Sequence, residues 1–98
     1  MWVYINGVGQ EVAEGTVLVN VPRFTAGIGQ VRGGEIHSLG NPGIRWGGPR
    51  LMGRGYIIIR PGDPRMRLID AWLMRAALEG QYPAYLTHML NPLLEDTP

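Results

Sequence analysis

Cysteine and lysine are both missing from the 98-residue chain. The first absence removes disulfides, thiolate metal ligands and cysteine nucleophiles, and it leaves the redox compartment undetermined. The second makes every basic side chain other than His37 and His88 an arginine. A drift toward GC-rich codons accounts for this together with the abundance of Gly, Pro and Ala. The alternative is selection for a planar guanidinium, which grips carboxylate or phosphate through two parallel hydrogen bonds.

Long apolar runs are also absent. None approaches the roughly 20 residues that cross a bilayer, and no basic-then-apolar leader opens the chain. A soluble protein is therefore expected, cytoplasmic or otherwise intracellular, with virion association suggested by the glycine-rich organisation described below. Charge is sparse, at a formal +1. It is split unevenly: residues 1–62 carry six arginines against Glu11, Glu14 and Glu35, and residues 63–98 carry three against Asp63, Asp70, Glu79, Glu95 and Asp96. This mild dipole favours head-to-tail packing of copies or a polyanion at the first half. It falls far short of a dedicated basic nucleic-acid module.

What is present begins with the stretch from Asp63 to Gly80, DPRMRLIDAWLMRAALEG. Asp63 can accept a hydrogen bond from a first-turn amide, Pro64 stands where no donor is needed, and Gly80 supplies a left-handed cap. Between them only Ile69 is β-branched. A helix is predicted, with Met66, Ile69, Leu73, Ala76 and Ala77 on its buried stripe and Trp72 at the edge. Leu68, Ala71, Met74 and Leu78 intrude on the polar half, so a second partner is expected to cover part of it.

Before the helix the pattern is that of strands. Trp2 to Ile5 reads as a short strand closed by a turn at Asn6-Gly7, lengthened by Gly9 and Gln10. In Thr16 to Val21, Val17, Val19 and Val21 share one face and Leu18 and Asn20 the other. Ile28 to Arg32 pairs with Glu35 to Ser38 around Gly33-Gly34 as a small ribbon. Gly27, Gly29 and Gly33 form G-x-G-x-x-x-G, one residue longer than the dinucleotide fingerprint and outside any βαβ pattern, so no cofactor is expected. Tyr56 to Arg60 contains three consecutive isoleucines, which implies a central strand covered on both faces, with Ile58 turned to the helix. After Gly80 a second helix is predicted over Pro83 to Asn91, with fraying from Glu95 to Pro98.

The predicted architecture is a single α+β domain, 1–98. A small twisted antiparallel or mixed sheet from the first 60 residues packs against a C-terminal helical hairpin. Residues 39–55, LGNPGIRWGGPRLMGRG, form a Gly/Pro-rich loop or arm. It interleaves Ile44, Trp46, Leu51 and Met52 with Arg45, Arg50 and Arg54, more apolar anchors than a disordered linker requires.

Chemistry-bearing residues are few. His37 shares a strand face with Glu35, a pair that can transfer a proton, and a small enzyme using His37 is the minor alternative. Two isolated histidines without cysteine make poor material for structural zinc, so no metal and no catalytic residue is assigned. The leading expectation is a non-enzymatic protein-interaction or assembly subunit, homo-oligomeric or part of a larger assembly, anchored by the 39–55 arm. Its binding residues are Arg45, Trp46, Arg50, Arg54, Tyr56 and Arg60. The same arginines and aromatics could instead bind RNA or single-stranded DNA.

Overall fold

The computed structural model describes residues 1–20, 27–39, 46, 48–79, 90 and 92. Its first element is a hairpin, β1 (Trp2–Ile5) and β2 (Val8–Glu11), in antiparallel register with Tyr4 opposite Gly9. The turn is tighter than expected. Asn6 and Gly7 alone make it, at φ 51° and 84°, the conformation that matches the twist of the flanking strands.

β3 (Val17–Asn20) pairs antiparallel with β4 (Ile28–Arg32), and β4 with β5 (Glu35–Ser38). The ribbon around Gly33-Gly34 is as predicted. β6 (Arg50–Leu51) lies parallel to β1, and β7 (Tyr56–Ile59) is antiparallel to β3. The strands therefore form two sheets, β2-β1-β6 and β5-β4-β3-β7. The helix, α1, spans Met66–Glu79.

Strand alternation assembles these into three layers. Val17, Val19, Ile28, Ile57 and Ile59 face α1 and pack with Ile69, Trp72 and Ala76. On the reverse of the same sheet, Leu18, Val31 and Ile58 meet Val3, Val12 and Leu51, most of them from the smaller sheet. The larger sheet is thus buried on both faces, which is why Val17, Leu18 and Val19 are all inaccessible. Each such side chain removed from water contributes about 1.5–3 kcal/mol before the cost of ordering it.

Asp63 starts the helical turn as expected. Its carboxylate accepts the Arg65 amide at 2.9 Å and a guanidinium bond at 2.7 Å, while its carbonyl accepts the Met66 amide. These bonds, the Arg65 side chain first, hold the Asp63 carboxyl below the usual carboxylate range.

Several expectations are corrected. The fold is α+β with two sheets and, among the described residues, a single C-terminal helix, not one sheet backed by a helical hairpin. The second helix of that hairpin is predicted over Pro83 to Asn91. Apart from Leu90, which is buried in the helix-side core, it lies outside the described residues, as does the tail from Glu95. Among the described residues β7 is an edge strand and not a central one, because it pairs only with β3. Its register places Ile57 opposite Val19 and Ile59 opposite Val17, so these two face α1 and Ile58 faces the other sheet. The helix is rotated so that Trp72 is central to the buried stripe and Ala77 is exposed. Seating the larger apolar surface of the indole over the sheet decides that rotation.

Candidate interaction face

Along β1, the side chains of Val3 and Ile5 turn into the core, which leaves Trp2 and Tyr4 on the outer face of the smaller sheet. Gly9 stands opposite Tyr4, and the absence of a side chain there lets the rings lie across β2. A β-carbon at Gly9 would come 3.1 Å from Tyr4 Cε1 and 3.5 Å from Trp2 Cε3. Pairing Tyr4 with Arg50 places the arginine on the same face, its guanidinium carbon 5.9 Å from the centre of the Tyr4 ring. Such a contact is worth about 0.5–1 kcal/mol at an exposed position. Tyr4, Gly7, Arg50 and Met52 line a half-open groove of about 340 Å³. Trp2 is 56% and Met52 74% exposed.

Backbone bonds hold β6 in this position. The Tyr4 amide donates to Pro49 O and the Asn6 amide to Leu51 O, both at 2.8 Å. The Asn6 side chain completes the attachment: Nδ2 donates to Gly53 O at 2.7 Å and Oδ1 accepts the Gly53 amide at 2.9 Å. An asparagine amide thereby reproduces the donor and acceptor of a strand residue, and residues 49–53 are fastened to the hairpin.

Electrostatically, the face carries a cation without a carboxylate counterpart among the described residues, for Arg50 enters no ion pair. Glu11, opposite Trp2, already binds the N-terminal ammonium at 3.2 Å. The combination of aromatic rings, a thioether and a guanidinium outside any ion pair among the described residues can accept an apolar group beside an anionic one.

The six residues selected from sequence do not form one patch. Trp46 and Tyr56 pack edge to face between the sheets, centroids 6.2 Å apart, with Trp46 beside Gly29. Arg60 crosses to β2, donating to Glu11 O at 2.9 Å and Gln10 Oε1 at 3.4 Å. Arg54 is exposed, next in sequence to the clasped Gly53, and Arg45 lies outside the described residues. Of the five that are described, only Arg50 lines the groove. Trp2, Tyr4 and Met52 were not selected, although the alternation in Trp2-Val3-Tyr4-Ile5 could have shown that both aromatics share the face opposite Val3.

His37 and Glu35 are 3.8 Å apart and both exposed, at the outer strand of the larger sheet. Asp63 is engaged by Arg65 at the start of the helix. Among the described residues no group of three or more His, Asp and Glu is arranged to hold a metal ion, and none of the helices is long and apolar enough to cross a membrane. No protein-family model, curated protein or solved structure matches the chain.

Proposed function

We propose that this chain is a non-enzymatic protein-interaction or assembly subunit, homo-oligomeric or part of a larger particle. Its docking surface is the outer face of the β2-β1-β6 sheet. The observation that carries this reading is the exposed adjacency of Tyr4, Arg50 and Met52 around one groove, with Trp2 exposed on the same face. Aromatic residues, Met and Arg are the types enriched at protein interfaces, and Trp, Tyr and Arg dominate their binding energy. Arg50 and Met52 belong to the 39–55 segment, and on this reading they anchor the partner from residues 49–53, which Asn6 braces.

Light scattering during chromatography tests it. The wild type should exceed the mass of one protomer, and the Trp2→Ala/Tyr4→Ala double variant should lower that mass while leaving the circular dichroism spectrum unchanged. A wild type that remains monomeric over a wide concentration range would remove self-assembly through this face.

One geometric feature favours nucleic acid as a second reading. Trp2 and Tyr4 are two residues apart on a strand, hence about 6.6–6.8 Å along it, with a guanidinium alongside. Exposed aromatics on a sheet can stack successive bases while arginine contacts phosphate. RNA or single-stranded DNA should then quench tryptophan fluorescence in the wild type but not in Trp2→Phe, and Arg50→Ala should reduce the salt dependence. Unchanged fluorescence with both polymers at low salt would dismiss it.

A further inference from the structure

Hydrogen-bond alternation fixes which groups β5 presents at its outer edge. The Leu39 amide donates to Ile28 O at 2.8 Å, and the register places Gln30 opposite His37 and Arg32 opposite Glu35. Glu35, His37 and Leu39 therefore direct their backbone groups to β4, while the amide and carbonyl of Ile36 point away from it. Among the described residues β5 is the terminal strand of its sheet, and it contains no proline, one of the devices that blunt an edge. The other edges are treated differently. On β2 the carbonyl of Glu11 is taken by Arg60, β6 has two residues, and β7 is closely followed by Pro61.

We propose that β5 pairs antiparallel with β5 of a second copy of this chain about a two-fold axis at Ile36. An added strand must use the outward groups of Ile36; setting Ile36 against Gly34 would put Glu35 against Glu35 and run into the Gly33-Gly34 turn, which leaves two short two-fold registers. In one, Ile36 lies opposite Ile36 of the second copy, and Glu35 lies opposite His37 of the second copy twice over. In the other, His37 faces its own equivalent and Glu35 faces Leu39. Charge complementarity selects the first, because it brings a carboxylate beside an imidazole on both sides of the axis, whereas the second sets imidazole against imidazole. Glu35 and His37 are exposed and share a face of the sheet, so both can turn to a neighbour. Arg32 and Gln30, also on that face, are bonded to each other at 2.9 Å. On the opposite face, Ile36 is half-buried against the inter-sheet core beside Gly29, and its neighbours at two-residue spacing are the small residues Gly34 and Ser38, so its exposed side can meet its equivalent. This pairing uses the larger sheet and is independent of the groove on the smaller one, so either can fail alone.

The missing cysteines make the register directly testable. Glu35→Cys and His37→Cys are made as separate variants, mixed and oxidised. The proposed register brings the two sulfurs onto a pair of positions without mutual backbone bonds, whose α-carbons lie about 4.5 Å apart, within disulfide range. It also retains one intact Glu35–His37 pair across the axis. The mixture should give a covalent dimer, and neither variant alone should. Cross-linking of His37→Cys alone, or no cross-link in the mixture at about millimolar protein, would overturn the proposal. Glu35→Lys should shift the midpoint of dimerisation upward by about tenfold, and adding His37→Glu to it should restore the midpoint, an outcome that a purely structural role for Glu35 would not produce. Failure of that rescue would also count against the register. Because Trp2 and Tyr4 are untouched, loss of the outer-face reading leaves these results unaffected.

Discussion

The indole of Trp46 lies against the backbone of Gly29: a β-carbon there would sit 2.7 Å from Cε2 and 2.9 Å from Nε1 of the ring, and 2.6 Å from Ile36 Cγ2. None of these atoms belongs to a flexible chain end that could swing aside. Gly29→Ala should therefore destabilise the fold by about 1–3 kcal/mol through overpacking, despite alanine's better fit to a strand. Urea denaturation followed by tryptophan fluorescence measures this, and an unchanged midpoint would show that the indole moves freely.

Asn6 performs two separable tasks. Its backbone takes a positive φ of 51°, and its side chain bridges both backbone groups of Gly53. Asn6→Gly keeps the turn and removes the bridge, so it should cost about 1 kcal/mol, in line with lost hydrogen bonds at an exposed site. Amide hydrogen exchange should be faster at Gly53 in the variant. If exchange there is unaltered, the clasp does not hold residues 49–53.

Trp72 should be the most costly single truncation. It is 1% exposed and central to the layer between α1 and the larger sheet. Trp72→Ala should lower unfolding stability by about 3–5 kcal/mol. That is a large share of the stability of a domain this small, and calorimetry should show a much lower midpoint.

Asp63 predicts a dependence on acid. Arg65 depresses its folded-state pKa, so the native chain binds the proton less readily than the unfolded chain. The resulting stabilisation is complete above the unfolded value of about 3.9 and is lost as pH falls through the lower folded value. Asp63→Asn retains a capping oxygen but no charge, and its urea midpoint should fall less than that of the wild type between pH 5 and 3. At neutral pH Asp63→Ala should cost about 1 kcal/mol.

Local rules were sufficient for much of this chain. Asn6-Gly7 and Gly33-Gly34 closed their hairpins where turn chemistry placed them, and Asp63 began the helix, because each depends on neighbours a few residues away. The three isoleucines of β7 correctly demanded cover on both faces. They could not say which face α1 would take, since a shift of one residue in the pairing of Val17 and Val19 exchanges Ile58 with Ile57 and Ile59.

The sequence alone determined where the strands turn, where α1 begins and that no thiol chemistry is present, all properties of adjacent residues and composition. Tertiary structure decided that residues 49–53 join the N-terminal hairpin, that Trp46 fills the space above Gly29, and that Arg50 meets Tyr4 on an open face. Those placements depend on contacts between residues 17 to 47 positions apart in the chain, as between Gly29 and Trp46 or Asn6 and Gly53. No local preference encodes such contacts; packing of the two sheets and the helix selects them together.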